Sequence, residues 1–356
     1  GVGAAIARAV PDAGPLYHGH GCGRAGADLM LHQRTLVNIA KNPNVAAVLV
    51  VGLGCEVIRA EGLALAISLS KKPVEHLYIQ NEGGSRRAAT KGAEIARRLL
   101  ADASKIERSP SPLSVLRLGL ECGGSDAFSG ITANPAVGLV ADWLVENGGS
   151  GVLTESTEMI GTAHILASRA CSESVADEIR KRIDLAEKQT REILGPLASY
   201  VIAPGNMDGG MSSIREKSLG CIAKGGGTPV NQVFDYAAVP DEKGLVIMDG
   251  PGYDAESMAG VAAAGCQAIL FTTGRGNPIG FPTVPVIKIA SNPNLYESME
   301  DDMDVNAGDV LRGKSLDDVA DEIKRLLSRV IEGEQTRAEI NRQDGIVCLY
   351  TSRPSF

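Results

Sequence analysis

Short apolar runs, glycine-rich polar turns and longer stretches of helical periodicity alternate along the chain. Residues 45–51 and 115–120 are apolar runs that each end in such a turn, and residues 244–248 and 268–271 repeat the order later. This alternation is typical of βα units, in which strands pair in parallel and helices cover the sheet. We therefore predict an α/β protein.

One break divides the pattern. A long amphipathic stretch ends at Gly195, and Gly- and Ser-rich sequence follows before the βα pattern resumes. A helix that stops at glycine marks an element boundary, so we predict a first α/β domain over residues 1–197, a second over 198–335 and a C-terminal arm over 336–356. Each domain is expected to be a Rossmann-like parallel-sheet unit, the two packed around a shared cleft. Residues 1–10 resemble a helix that a strand normally precedes, so we also expect an N-terminal strand before them.

The polar turns of the first domain predict where a ligand would bind. Loops that leave the carboxyl ends of strands in an open α/β sheet lie along one edge, and ligands bind there. Five such turns follow predicted strands, at residues 18–23, 52–56, 81–85, 121–126 and 154–158. We expect them to converge on one site.

Three of these turns contain a cysteine, namely Cys22, Cys55 and Cys122. Thiolates on converging loops can hold a soft or borderline metal and leave one coordination position open to substrate. Iron suits such ligands, as Fe(II) or as an iron–sulfur cluster, and another divalent metal is an alternative. The competing interpretation is that each cysteine is a small buried residue in a crowded turn.

Histidines and acidic residues in the same turns are further candidates. His18, His20 and Cys22 alternate at a spacing of two, so in an extended segment all three project to one side. His20 is the favoured ligand or general base, although a hydrogen-bonded structural histidine is the alternative. Glu155 and Glu158 can bind a cation or accept a proton, but acidic residues also favour helix N-termini.

The remaining candidates point to an anionic substrate. Glycines near Asn206 precede Lys217, so exposed backbone N–H groups and an ammonium can hold an anion. Arg275 lies between two glycines after a predicted strand, and its guanidinium matches a carboxylate. We also assign substrate contacts to Ser125, Asp126 and Asn206.

Composition narrows the class of protein. The chain has 356 residues with 44% hydrophobic content, enough for two cores. Its 43 acidic and 35 basic residues give a net charge of -8, which does not favour nucleic acid as a partner. No apolar run approaches the roughly 18 residues that span a bilayer, and no secretory leader opens the sequence. With seven cysteines in so large a chain, we expect a cytoplasmic protein that does not bind membranes.

Several strings of residues together resemble the altronate/galactarate dehydratase family. They are His20-Gly21-Cys22, residues 42–45 running into 52–56, residues 121–126 with 129–135, residues 216–220, 248–254, 272–276 and 303–308. The resemblance spans roughly residues 16–335. It implies a lyase that removes water from a sugar acid, leaves a 2-keto-3-deoxy acid and requires iron or a similar metal. The large subunit of sulfolactate sulfo-lyase is a close relative that expels sulfite instead of water.

The resemblance implies a β-elimination. A base takes the proton alpha to the carboxylate, Arg275 or Lys217 holds that carboxylate, and the metal stabilises the developing charge. His20 is the candidate base and Lys217 its rival, with Glu216 as a third catalytic candidate.

The resemblance also bears on partners. Single-chain members carry a small additional N-terminal domain, so we expect either a truncated chain or a separate small subunit, together with a homo-oligomeric assembly. The substrate is expected to be a sugar acid or a sulfonated hydroxy acid. A non-catalytic sugar-acid-binding or partner subunit is the alternative of another class, but such a protein would not need the thiolates.

Overall fold

The computed structural model describes residues 1–345 and 347–352. Within these residues the strands pair in parallel and form a small sheet of two strands and a large sheet of seven. The strands are β1 (Val48–Gly52), β2 (Val74–Tyr78), β3 (Arg117–Cys122), β4 (Ser150–Leu153), β5 (Val230–Asp235), β6 (Gly244–Asp249), β7 (Ala268–Thr273), β8 (Val286–Ala290) and β9 (Val305–Asn306). The α-helices are α1 (Val2–Ala9), α2 (Gly26–Lys41), α3 (Ala60–Ser68), α4 (Ser85–Ala103), α5 (Ala133–Glu146), α6 (Ala163–Ala167), α7 (Glu173–Leu194), α8 (Pro204–Asp208), α9 (Ile214–Ile222), α10 (Asp254–Ala263), α11 (Pro293–Ser298), α12 (Leu316–Ile331) and α13 (Arg337–Ile340). The predicted α/β class with parallel-sheet units is confirmed.

The two sheets divide between β2 and β3. The strand order of the large sheet is β5-β6-β4-β3-β7-β8-β9, so β3 and β4, which precede residue 197, lie at its centre between strands that follow residue 197. The helix stop at Gly195 is real, because α7 ends there in a positive-φ glycine. It ends a helix, however, and does not separate two sheets.

The large sheet is covered on both faces, as parallel sheets require. Successive side chains of a strand point to opposite faces: Leu270 packs into the core under α5 and α12, whereas Ile269 and Phe271 pack into the core under α10 and α2. All three side chains are fully buried. The continuous apolar runs seen in the sequence therefore correspond to strands with two buried faces.

A cleft of about 2130 Å³ lies between the small-sheet unit and the large-sheet unit. Leu49 and Val51 of β1 line one side, and Pro112 and Val330 line the other. No helix among the described residues combines the length and apolar character that crossing a membrane demands.

Helix α2 joins the first part of the chain to the large sheet. The Asn42 amide, at the C-terminal end of α2, donates to the carbonyl oxygens of Ala262 and Cys266 at 2.8 Å each. Eight residues earlier, Arg34 donates to the Tyr236 carbonyl, and the Tyr236 hydroxyl donates to the carbonyl of Glu256 in the first turn of α10. The two helices therefore run parallel, and α2 extends past the start of α10. The loop before α2, which holds His20 and Cys22, consequently lies at the end of the molecule where the large-sheet strands terminate.

The described part of the C-terminal arm packs beside α2. Val347 and Leu349 are buried in the core under α2 and α10, and the backbone N–H and hydroxyl of Ser352 both donate to Asp28 at 3.0 and 2.8 Å. Residues 346 and 353–356 of the predicted arm lie outside the described residues.

Replacement of Asn42 by alanine tests the link between α2 and α10. The change leaves two buried carbonyl groups without their donor, so we expect the free energy of unfolding to fall by about 1–3 kcal/mol in urea titrations. Asn147→Ala is the matched control, because this amide donates to one carbonyl at an exposed helix end and its loss should change stability by about 0.5 kcal/mol or less. An equal loss of unfolding free energy in the two variants would contradict the role of Asn42 in linking α2 to α10.

Candidate active site

Four metal-ligating side chains meet at the carboxyl end of the large sheet. They are Cys122, Glu155, Glu158 and Cys221, whose ligand atoms all lie within 4.8 Å of one another and are buried. Cys122 ends β3, the two glutamates follow the adjacent β4, and Cys221 lies in α9. We refer to these four residues as the donor cluster. It forms because β3 and β4 are neighbours in the sheet and α9 packs across their ends.

Distances within the donor cluster centre on Cys122. Its Sγ lies 3.1 Å from Glu158 Oε2, 3.4 Å from Glu155 Oε2 and 3.9 Å from Cys221 Sγ. The contact with the Cys221 thiol, together with burial, raises the pKa of Cys122 well above its usual value.

Two lysines pair with the two glutamates. Lys224 Nζ lies 2.7 Å from Glu155 Oε2, and both side chains are fully buried. Lys217 Nζ lies 2.5 Å from Glu158 Oε1, with side chains 12% and 8% exposed. Lys217 is thus the ammonium group of this site that reaches solvent.

Both lysines are held in the charged form. Burial opposes the charge of Lys217, but the negative charge of Glu158 outweighs burial and raises the pKa of this lysine. Burial likewise opposes the charge of Lys224, and the surrounding Cys122, Cys221 and Glu155 outweigh it and raise its pKa. A permanently charged Lys217 is better suited to holding an anion than to accepting a proton.

The chemistry of the donor cluster fits a divalent metal. Glu155 Oε1 is a buried oxygen with no hydrogen-bond partner, as an unused ligand atom would be. The two ammonium groups balance the two carboxylates, so an ion of charge +2 would balance the two thiolates. Mixed thiolate and carboxylate ligands suit borderline metals such as Fe(II) or zinc.

The predicted ligands Cys22 and Cys55 occupy a different part of the same end of the molecule. Both are exposed, and their loops touch through the hydrogen bond from the Val57 N–H to the Gly21 carbonyl at 3.1 Å. Among the described residues, the cysteine that joins Cys122 is Cys221. The set of Cys22, Cys55 and Cys122 therefore stays a prediction.

Cys221 was not predicted as a site residue, although its helical spacing from Lys217 indicated that it could be one. Lys217 and Cys221 are four residues apart in a helix, so they lie on the same face. In the structure that face meets Glu158 and Cys122. Extending the helical pattern from the candidate Lys217 would have brought Cys221 into the site.

His20 lies in the loop before α2. Its ring centroid is 5.0 Å from that of His32, and its backbone N–H donates to His18 Nδ1 at 3.3 Å. Burial and the charge of Arg24 lower the pKa of His20. The imidazole is therefore neutral at physiological pH, the form in which a general base acts.

The four predicted substrate-binding residues lie together. The Asn206 amide donates to the Ser125 carbonyl at 2.8 Å, and the Arg275 side chain packs against the segments that contain Asp126 and Asn206. Asp126 is buried and accepts the Ser291 hydroxyl at 2.6 Å, among other donors. Asp126 and Asn206 thus hold loops in place, whereas the exposed Arg275 side chain faces solvent.

Glu216 is turned away from the donor cluster. Its Oε2 accepts the backbone N–H and the hydroxyl of Ser212 at 2.8 and 2.6 Å, and these bonds lower the pKa of the carboxyl group. Glu216 is exposed. Its contacts are those of a residue that stabilises the turn before α9, and its catalytic role stays a prediction.

Two family models match the chain. The model for the C-terminal part of D-galactarate/altronate dehydratase matches residues 113–353, and the model for the second domain of D-galactarate dehydratase/altronate hydrolase matches residues 4–104. The gap between the two matches coincides with the division between the small and large sheets.

Individual relatives agree with these matches. Altronate dehydratase of Bacillus subtilis (strain 168) is 40% identical over 82% of the chain and 58% of the relative. Altronate dehydratase of Escherichia coli (strain K12) is 34% identical over 91% of the chain and 65% of the relative. The (2R)-sulfolactate sulfo-lyase subunit beta of Chromohalobacter salexigens is 35% identical over 98% of the chain and 90% of the relative. The chain therefore spans less than two thirds of each of these altronate dehydratases.

Removal of one partner from the Lys224–Glu155 pair should destabilise the protein strongly. Lys224→Met leaves a buried carboxylate without its counter-charge, so we expect metal-free protein to lose about 3–5 kcal/mol of unfolding free energy in urea. Adding Glu155→Gln should recover most of that loss, because neither charge then remains. Lys91→Ala breaks the exposed ion pair with Glu82 and should cost about 1 kcal/mol or less. A Lys224→Met protein as stable as Lys91→Ala would contradict the pairing.

Proposed function

Because the chain belongs to the D-galactarate/altronate dehydratase family, we propose that it catalyses the elimination of water from a sugar acid to give a 2-keto-3-deoxy acid. The observation that carries this proposal is the donor cluster with its two paired lysines, which combines metal ligands and fixed positive charge at one sheet edge. The whole donor cluster falls within the residues matched by the C-terminal family model.

A divalent metal, with iron favoured, would be held by Cys122, Cys221, Glu155 and Glu158. When bound, such an ion supplies Lewis acidity toward an oxygen of the substrate. The donor cluster is buried, and Lys217 lies between it and solvent. Substrate would therefore approach past Lys217.

The cationic residues hold the substrate in this proposal. Removal of a proton alpha to a carboxylate spreads negative charge onto the carboxylate oxygens, and a fixed ammonium close by stabilises that charge. The contact with Glu158, which holds the ammonium group of Lys217 in position, supports this role. Arg275, exposed on the turn after β7, provides a second cation that can grip a carboxylate bidentately.

His20 is the proposed base. It accepts the proton from the carbon next to the carboxylate, and the bond from the neighbouring carbon to its hydroxyl oxygen breaks. The hydroxyl gains a proton and departs as water, and the resulting enol tautomerises to the keto acid. The neutral imidazole and the position of its loop at the carboxyl end of the sheet support this role. We further propose that the working enzyme is a homo-oligomer in the cytoplasm.

A second candidate function rests on the extent of one match. The sulfo-lyase subunit beta aligns over 98% of the chain and 90% of its own length, whereas the Bacillus subtilis altronate dehydratase aligns over only 58% of its length. A lyase subunit that releases sulfite from sulfolactate, acting with a separate small subunit, is therefore the alternative.

An anaerobic assay of iron-loaded protein tests the proposal. Altronate, galactarate and sulfolactate are supplied separately, and 2-keto acid and sulfite are both measured. We expect keto acid from altronate or galactarate and no sulfite. Sulfite from sulfolactate alone would replace the first candidate with the second, and no product from any of the three substrates would overturn both.

Cys221→Ser tests the donor cluster as a metal site. Loss of even an outer partner of a metal ligand weakens binding about 10–100-fold, so loss of this thiolate should lower iron affinity by at least about tenfold. Bound iron is measured by mass spectrometry after dialysis against graded chelator. Cys171→Ser is the control, since Cys171 is exposed and its thiol donates to the Asn231 carbonyl, outside the donor cluster. Unchanged iron binding in Cys221→Ser would exclude this residue as a ligand.

His20→Ala tests the proposed base. Loss of a positioned general base typically lowers turnover about 10²–10⁴-fold, and we expect kcat to fall in this range with iron content and melting temperature unchanged. His164→Ala, which removes an exposed histidine on α6, should leave kcat unchanged. Full turnover in His20→Ala would assign the proton abstraction to another residue.

A further inference from the structure

A second group of ionisable side chains lies beside the donor cluster and has no role in the mechanism above. Its central member is Lys288 in β8, which is fully buried. Lys288 Nζ has no hydrogen-bond partner and lies 3.5 Å from the centroid of the Phe271 ring. Lysine is almost never fully buried unless it is paired. A buried amine without an acceptor therefore calls for a functional explanation.

Sheet register places this lysine in line with the end of β3. Glu121 lies opposite Phe271 in the pairing of β3 with β7, and Phe271 lies opposite Lys288 in the pairing of β7 with β8. Side chains opposite each other in paired strands share a face of the sheet, so these three residues share the face covered by α10. The first residue of α10 is Asp254.

Asp254 and Phe271 both lie against Gly123, the residue after Cys122. The ideal Cβ position on Gly123, next to Cys122, is only 2.3 Å from Asp254 Oδ2, so the carboxylate rests directly against the turn after β3. The Asn277 amide donates to the same oxygen at 2.5 Å. Asp254 is half-buried, so part of this residue stays open to solvent.

Burial shifts the pKa of both groups toward the neutral form. Burial raises the pKa of Asp254 to about 6, and the nearby Glu158 adds to the effect. Burial lowers the pKa of Lys288 to about 7, against the opposing charges of Asp254 and Asp304. Asp304 is already engaged, since its two oxygens accept the backbone N–H groups of Lys288 and Arg337 at 2.7 and 2.9 Å.

We propose that Asp254 is a catalytic residue that protonates the departing hydroxyl group, and that Lys288 is a positioning residue that controls the charge on Asp254. This inference rests on the proposed function as a dehydratase. It assigns to this site the acid that the elimination needs in addition to a base.

In this step the base takes one proton from the substrate and Asp254 gives one proton to the leaving group. The base removes the proton from the carbon next to the carboxylate, and that electron pair forms the new carbon–carbon double bond. The carbon–oxygen bond breaks, and the hydroxyl takes the proton of Asp254 and leaves as water. Asp254 is then a carboxylate and the base is protonated, so proton exchange with solvent restores both groups.

Asp254→Asn tests the acid with two leaving groups. The first substrate is the sugar acid that the wild type dehydrates, and the second is its analogue with chloride in place of the departing hydroxyl. Chloride leaves without a proton, so the variant should lose about 10²–10⁴-fold in kcat on the hydroxyl substrate and only a few-fold on the chloro analogue.

The outcomes separate this inference from the proposed function. A wild type that dehydrates no sugar acid refutes the proposed function itself. A wild type that works, with an Asp254→Asn variant impaired equally on both substrates, refutes the acid role alone. Asp254→Glu, which keeps the carboxyl group, should retain more activity than Asn on the hydroxyl substrate and guards against a simple folding defect.

Lys288→Met tests the positioning role through the pH profile. Asp254 must be protonated to act, so kcat falls as pH rises through its pKa. Without the Lys288 charge the carboxylate is favoured less, so its pKa rises and this limb should move to higher pH by about one unit or more. The other groups that act on the pair from adjacent elements are Glu121, Glu158, Lys217, Asp302 and Asp304.

The melting temperature of Lys288→Met and a control variant show whether a moved limb reflects the positioning role. Met fits an apolar site, so Lys288→Met should melt at or above the wild-type temperature. Lys72→Met is the control, because this half-buried lysine binds carbonyl groups at the far end of α2 and its loss should leave the pH profile in place. An unmoved limb in Lys288→Met would show that Lys288 does not control Asp254.

Discussion

The geometry of the candidate site depends on one buried ion pair. Neither Lys224 nor Glu155 reaches water, so each charge is tolerable only because the other is present. Glu155 follows a central strand of the large sheet, and Lys224 follows α9 directly. The pair therefore fixes α9 against the strand ends, and with it Lys217 and Cys221. Charge pairing in the interior thus sets the positions of the groups that face the substrate.

Much of the fold could be predicted from the sequence because its local patterns are strong. The apolar runs at residues 45–51 and 115–120 coincide closely with β1 and β3, and the glycine at 195 ends a helix as expected. Strand pairing was not predictable. A strand buried on both faces is a continuous apolar run, and such a run does not indicate which other strands lie beside it. For this reason the division between sheets lies before β3 and not at residue 197.

Apart from Lys217 in α9, the residues of the candidate site that were predicted from the sequence are those that follow strands. Cys122, Glu155 and Glu158 lie in turns directly after apolar runs. They were identified because ligands of open α/β sheets bind at the loops that leave the carboxyl ends of the strands. Cys221 lies within a helix, where the sequence indicates a face but not what that face meets. Lys288 lies inside an apolar strand, and only the three-dimensional arrangement shows that its amine is buried without a hydrogen-bond partner.

The anchoring of α2 also has a consequence for biosynthesis. Asn42 binds carbonyl groups that lie 220 and 224 positions later in the chain. Leu36 and Ile39 belong to the same core as α10, so the part of their surface that α10 covers stays uncovered on the ribosome until α10 (Asp254–Ala263) has been made. Contacts over such separations form slowly, and apolar surface that waits uncovered is prone to aggregate. We therefore expect the nascent chain to expose this face of α2 until α10 has left the ribosome.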